Sequence, residues 1–80
     1  MLKRYYAIYD KVAKNYSGLI EFQNDAVASR LFENQQKNKD SFISIKPEDF
    51  QLHYICTMED ETGEIIDNTN MCVCEGKPSE

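Results

Sequence analysis

Residues 24–37 carry the pattern of an amphipathic α-helix, the clearest structural signal in this sequence. Its apolar residues recur at positions i, i+1, i+4 and i+5, which fall on one helix face; they are Val27, Ala28, Leu31 and Phe32. Asn24 precedes them as an N-cap, and Asp25 places a negative charge in the first turn. A helix with one apolar face must bury that face, so the rest of the chain has to supply a surface that covers it.

Two longer segments alternate with the period of a β-strand and can supply this surface. Residues 4–9 are rich in strand-forming types, and the alternation places Tyr6 and Ile8 together on one side. Residues 50–58 alternate over a longer stretch, and the face expected to be buried consists of Phe50, Leu52, Tyr54, Cys56 and Met58. We expect both segments to be strands beneath the helix.

Shorter segments complete the predicted sheet. Residues 19–22 are too few for more than an edge strand or an extended arm. Residues 59–64 predict a tight turn with Gly63 at a position of positive φ. Residues 64–66 then return antiparallel to the preceding strand and form a hairpin with it.

These elements predict an α+β fold: a small antiparallel sheet of three or four strands with one principal helix packed on one face. The chain has 80 residues, a length that suits one small core, so we expect a single domain over residues 1–68. Residues 69–80 predict a flexible C-terminal tail. The sheet face away from the helix stays open; its candidate residues are Tyr5, Tyr9, His53 and Ile55. Exposed aromatic side chains there imply a partner or self-association.

The composition is typical of an ordered, water-soluble domain. Apolar residues make up 41% of the chain and charged residues 29%, with a mean hydropathy of −0.62. No stretch reaches the roughly 18 consecutive apolar residues of a membrane span, so we expect no contact with a membrane. Three cysteines are an odd number, which favours a reducing compartment over a closed disulfide framework.

Charge is distributed unevenly along the chain, which has a net charge of −5. Residues 1–46 contain eight Lys or Arg against five Asp or Glu, whereas residues 47–80 contain one against nine. Charged groups act within a Debye length of about 8–10 Å, so an acidic protein can still carry a local basic surface. The alternative interpretation is an ordinary solvated surface with an acidic C-terminal half.

Four stretches of the chain, taken in their order and spacing, form a recognisable pattern: Tyr5–Ala13, Asn24–Phe32, Pro47–Leu52 and Glu61–Ile65. Together they resemble the small non-structural protein of gokushovirus-type microviruses, which are bacteriophages with circular single-stranded DNA. The resemblance covers roughly residues 4–66. It implies a non-structural phage protein in the host bacterial cytoplasm that binds DNA or assists single-stranded genome synthesis and packaging, with viral replication or packaging proteins as partners. The resemblance implies no catalytic residue.

Basic residues interleaved with tyrosines near the N-terminus are the candidate nucleic-acid site. Single-stranded DNA is bound by cations that follow the phosphates and by aromatic faces that stack on bases. The residues predicted to contact DNA are Lys3, Arg4, Tyr5, Tyr9, Lys11 and Lys14. The alternative function is a protein-interaction module, as a homodimer or as an adaptor to a viral or host protein, that uses the open sheet face without binding nucleic acid.

The sequence does not favour an enzyme, a cofactor or a metal site. Its clustered carboxylates at residues 59–61 lie in a turn that we expect to be exposed, and no nucleophile–base arrangement is present. Four residues have zinc-ligand chemistry: His53, Cys56, Cys72 and Cys74. His53 and Cys56 lie three apart on a predicted strand, which points them to opposite faces, and the two later cysteines are spaced more tightly than zinc ligands usually are. We therefore expect a non-enzymatic protein without cofactor or metal.

Overall fold

One antiparallel sheet and one α-helix make up the computed structural model, which describes residues 1–78. The elements are β1 (Leu2–Asp10), β2 (Asn15–Tyr16), β3 (Ile20–Phe22), α1 (Asp25–Lys37), β4 (Phe50–Glu59), β5 (Ile65–Asp67) and β6 (Met71–Glu75). The two long strands, β1 and β4, pair along their whole length at the centre of the sheet. β2 and β3 pair with the outer edge of β1, and β5 and β6 pair with the outer edge of β4.

The sheet has six strands, so the prediction of three or four strands with one helix is wrong. The difference arises because each outer edge is interrupted, at residues 17–19 between β2 and β3 and at residues 68–70 between β5 and β6. β2 has two residues and β3 and β5 have three each, which is too short for a period-two pattern to be recognised.

The segment predicted as a flexible tail, residues 69–80, contributes β6 to this sheet. Met71–Glu75 pair with β4, where Cys74 lies opposite Leu52 and Cys72 lies opposite His53. The backbone N–H of Gly76 then donates to the carbonyl of Phe50 at 2.9 Å. Ser79 and Glu80, at the end of the predicted tail, lie outside the described residues.

The helix forms where the sequence predicts it, and its cap is the predicted one. The Asn24 side chain accepts a hydrogen bond of 2.9 Å from the backbone N–H of Val27, and α1 ends at Lys37. Ala28 and Phe32 are buried against the sheet. Leu31, which belongs to the same apolar pattern, is 42% exposed and lies at the edge of the buried face.

The core lies between α1 and one face of the sheet. Its buried cluster consists of Tyr6, Ala28, Phe32, Ile43, Phe50, Leu52 and Tyr54. Ile43 enters this cluster from a 3₁₀ turn, Phe42–Ser44, and a second such turn, Pro47–Asp49, leads into β4. The helix and these turns cover one face only, so the opposite face of the sheet is left open.

A β-bulge in β4 changes which residues reach the core. Tyr54 lies opposite Tyr6 and Cys56 lies opposite Tyr5, so Ile55 has no partner on β1. After the bulge, Thr57 is buried on the core side and hydrogen-bonds the Tyr54 hydroxyl. The prediction that Cys56 shares the buried face is therefore wrong, because the extra residue turns it to the open face.

Candidate nucleic-acid interface

Three aromatic rings from three strands meet on the open face. Tyr9 of β1 lies opposite Tyr16 of β2, with ring centroids 4.6 Å apart, and His53 of β4 lies 5.5 Å from Tyr9 and 5.4 Å from Tyr16. Ala7, which lies opposite His53, is 1% exposed although it belongs to the open face. A small side chain here lets the neighbouring rings lie against the sheet. We call Tyr9, Tyr16 and His53 the ring cluster.

Amide side chains hold the ring cluster in place. The two ring nitrogens of His53 lie 2.7 Å from the Asn70 Oδ1 and 3.0 Å from the Gln51 Oε1. Asn70 also donates a 3.1 Å hydrogen bond to the Tyr16 hydroxyl. Asn70 thus joins two rings of the cluster, and the segment between β5 and β6 supports the site.

The hairpin that joins β1 and β2 places two lysines beside the ring cluster. It is closed by the Asp10 side chain, which accepts from the backbone N–H groups of Val12 and Ala13, and by the Lys14 N–H, which donates to the Asp10 carbonyl at 2.7 Å. Lys14 has a φ of 60°, in the left-handed region. Within residues 1–78, neither Lys11 nor Lys14 forms an ion pair.

Cys72 lies opposite His53, on the open face. Burial and the nearby Glu75 carboxylate raise the pKa of this thiol, and the positive charge of Lys11 acts in the opposite direction.

Lys3 and Tyr5 lie on the open face at the other end of β1. Tyr5 lies opposite Glu21 of β3 and Cys56 of β4, and it is half-buried. The Lys3 ammonium is 3.6 Å from the Glu21 carboxylate and 3.8 Å from that of Asp60. Both acidic groups compensate the charge of Lys3, which leaves less of it for a phosphate.

Arg4 lies on the core side of the sheet, beneath the start of α1. Its guanidinium donates to the Asp25 carboxylate at 2.8 Å and to the Tyr6 hydroxyl at 2.9 Å. These hydrogen bonds raise the pKa of Arg4 above its already high ordinary value. The structure therefore separates Arg4 from the other five residues of the predicted site, and it holds Arg4 in contacts within the protein. The sequence already indicates that Arg4 lies on the core side. Side chains two positions apart on a strand point to the same face, and Arg4 is two residues from the buried Tyr6.

The model of the phage ORF5 protein family matches the chain over residues 3–78. The chain belongs to this family. No curated protein and no solved structure matches it. The phage origin implied by the sequence resemblance is thus confirmed, at the level of a phage protein family.

Two residues of the ring cluster, Tyr16 and His53, are absent from the predicted DNA-contacting set. Tyr16 belongs to a two-residue strand, and its position beside Tyr9 follows from the hairpin register. His53 lies on a distant strand, 44 positions after Tyr9 and 37 positions after Tyr16 in the sequence. The sequence pattern that could have pointed to His53 is the alternation of residues 50–58. It places His53 on the sheet face opposite to that of Leu52 and Tyr54.

Two further findings concern residues 1–78 as a whole. No group of three or more His, Cys, Asp or Glu side chains in this part of the chain is arranged to hold a metal ion. None of the helices described there is both long enough and apolar enough to cross a membrane.

Proposed function

We propose that this phage protein binds single-stranded DNA without enzymatic activity, through the ring cluster and the lysines of the adjacent hairpin. We further propose that it belongs to a gokushovirus-type microvirus and assists viral DNA synthesis and packaging in the host cytoplasm. The observation that carries the proposal is the position of Lys11 and Lys14, two lysines without ion pairs in the described chain, beside three clustered rings.

The two parts of this surface suit the two parts of a nucleotide. An aromatic face stacks on a base with about 1–3 kcal/mol and tolerates any sequence, while lysines neutralise the adjoining phosphates. Tyr16 is 45% exposed, so part of its ring is accessible to a base. The hairpin holds Lys11 and Lys14 within a few residues of Tyr9 and Tyr16, a spacing that lets one short DNA segment contact both.

The protein has a net charge of −5, and the Glu75 carboxylate, which accepts a hydrogen bond from Gln51 beside His53, lies close to the ring cluster. The acidic turn at residues 59–64, in contrast, lies at the far end of the sheet from the hairpin. Asp10, next to the hairpin, lies opposite Phe50, whereas Leu2 lies opposite Glu59, where the acidic turn begins. β1 has nine residues at about 3.3 Å each, so its two ends are roughly 30 Å apart. This distance exceeds the Debye length of about 8 Å at physiological salt, so the acidic turn acts weakly on DNA at the hairpin.

Fluorescence anisotropy with a labelled single-stranded oligonucleotide tests the proposal. We expect binding at low salt that weakens as salt rises, because phosphate-bound counterions are released. Lys11→Glu should weaken binding and reduce the slope of log K against log salt. Lys39→Glu is the matched control: it makes the same charge change in a separate groove at the end of α1. Absence of binding at low salt, or equal losses in both variants, would contradict the proposed site.

A protein-interaction module without DNA binding is the second candidate function. It is favoured by Lys3, whose charge is already compensated by Glu21 and Asp60, and by apolar side chains that are exposed beside α1. The oligonucleotide titration separates the two candidates, because this second function predicts no binding at any salt concentration.

A further inference from the structure

An apolar groove of about 340 Å³ lies between α1, β3 and the 3₁₀ turn at Phe42–Ser44. Its floor includes the core residues Phe32 and Leu52, and its rim includes Ile20, Leu31 and Phe42. Those three rim residues are 41%, 42% and 61% exposed. A groove of this kind on a small domain marks a surface that a partner covers.

The groove carries no charge. Every residue that lines it within the described chain is apolar or an uncharged polar residue, in a protein with 29% charged residues. This property narrows the choice of partner. A nucleic acid or a strongly charged protein would find no complementary group here. Two copies of this chain, each with a net charge of −5, need a neutral surface in order to meet.

An open sheet edge runs beside the groove. β3 pairs with β1 on one side only and forms part of the outer edge of the sheet. Its sequence from Gly18 to Phe22 contains no proline or lysine, the residues that commonly protect an edge from pairing. Glu21 is the one charged residue of β3; it lies opposite Tyr5 on the open face and is 3.6 Å from the Lys3 ammonium.

We infer that a second copy of this chain covers the groove, in a twofold dimer that pairs β3 with β3 of the partner antiparallel. A twofold interface brings each residue near its own copy, so the uncharged, apolar groove is compatible with itself. Glu21 also approaches its own copy, but it lies on the opposite face, where the Lys3 ammonium at 3.6 Å offsets its charge. Because the twofold axis is perpendicular to the sheet, both helices lie on the same side. Leu31 and Ile20 of the two copies then pack together above the joined edge.

The dimer would also place both ring clusters on one continuous open face. A longer DNA segment could then contact two clusters on the same side of an extended sheet. The dimer itself does not depend on DNA binding, and its test is carried out without DNA.

Sedimentation equilibrium of the full chain, over about 1 to 200 µM, tests the inference. We expect the wild-type protein to dimerise in this range and Leu31→Glu to remain monomeric with an unchanged circular dichroism spectrum. Ile66→Glu is the matched control, because Ile66 is 53% exposed and belongs to β5 at the opposite edge of the sheet. A wild-type monomer throughout, or loss of the dimer in Ile66→Glu and not in Leu31→Glu, would overturn the inference.

Hydrogen exchange of the wild-type protein tests the same interface without a substitution, should Leu31→Glu fail to fold. We expect the backbone amides of β3 to exchange more slowly as protein concentration rises, while those of β5 stay unchanged. Concentration-independent exchange in β3 would exclude this dimer.

Discussion

The guanidinium of Arg4 lies over the ring of Tyr54, 4.4 Å from its centre. The same group donates to the Asp25 carboxylate at the start of α1, which also accepts a hydrogen bond from the Tyr6 hydroxyl. These contacts join the two central strands to the helix. The arrangement keeps the helix on one face of the sheet, and it leaves the other face free for the ring cluster.

The contacts of Arg4, Tyr6 and Asp25 form a junction between the sheet and the helix. Replacement of Asp25 should show how much this junction stabilises the fold. The hydrogen bond from Tyr6, with that from Arg4, holds the pKa of Asp25 below its ordinary value of 3.8. Its contribution is therefore present above pH 4 and is lost as pH falls through the lower pKa of the folded state. We expect Asp25→Asn to reduce the free energy of unfolding by about 1 kcal/mol at neutral pH, since the pair is partly exposed.

Urea denaturation of both proteins between pH 7 and pH 3 measures this effect. The difference between wild type and Asp25→Asn should be constant near neutral pH and shrink below about pH 4. Asp40→Asn is the control, because Asp40 forms no ion pair in the part of the chain that the structure describes. A difference that grows at low pH would show that the junction does not depend on the ionised carboxylate.

Truncation of Tyr16 should weaken DNA binding without a large loss of stability. Stacking on a base contributes about 1–3 kcal/mol, so Tyr16→Ala should lower the affinity for a single-stranded oligonucleotide by roughly 5- to 150-fold. Tyr16→Phe keeps the ring and should bind almost as well as wild type. If both variants lose affinity equally, the hydroxyl and its bond to Asn70 matter instead of stacking.

Substitution of Lys14 by glycine should weaken DNA binding without lowering the stability of the fold. Its φ of 60° places a lysine in the left-handed region, which costs an ordinary residue roughly 1 kcal/mol and costs glycine little. We expect Lys14→Gly to unfold at the same temperature as wild type or higher, and to bind single-stranded DNA more weakly. Thermal unfolding and anisotropy on the same samples check both effects. Unchanged affinity would remove Lys14 from the interface.

Gly76 should tolerate no side chain, because β6 brings it close to the turn before β4. A Cβ atom at this position would lie 1.8 Å from the Pro47 carbonyl oxygen. We expect Gly76→Ala to lower the free energy of unfolding in urea by about 1–3 kcal/mol. Gly18→Ala is the matched control, since no atom lies within 4 Å of its added Cβ. Equal stabilities would show that the segment after β6 is not held against Pro47.

Local sequence patterns correctly predicted the elements whose structure depends mainly on residues that are close in the sequence. The Asn24 cap and the helix after it depend on contacts within four residues, and both agree with the structure. Gly63 has a φ of 77° in the turn between β4 and β5, as the turn pattern predicted. The number of strands was predicted incorrectly. A short edge strand forms because it hydrogen-bonds to a neighbouring strand, and its two or three residues are too few to show the alternation of apolar and polar side chains.

The candidate site was predicted in part, for the same reason. Alternation alone placed Tyr5 and Tyr9 on one face and Tyr6 on the other, since neighbouring side chains of a strand point to opposite sides. Only the tertiary structure decided that β4 has a bulge at Ile55, because an extra residue is recognised by its missing partner. It also decided that His53 joins Tyr9 and Tyr16, since rings from distant segments meet only once the strands have paired in register.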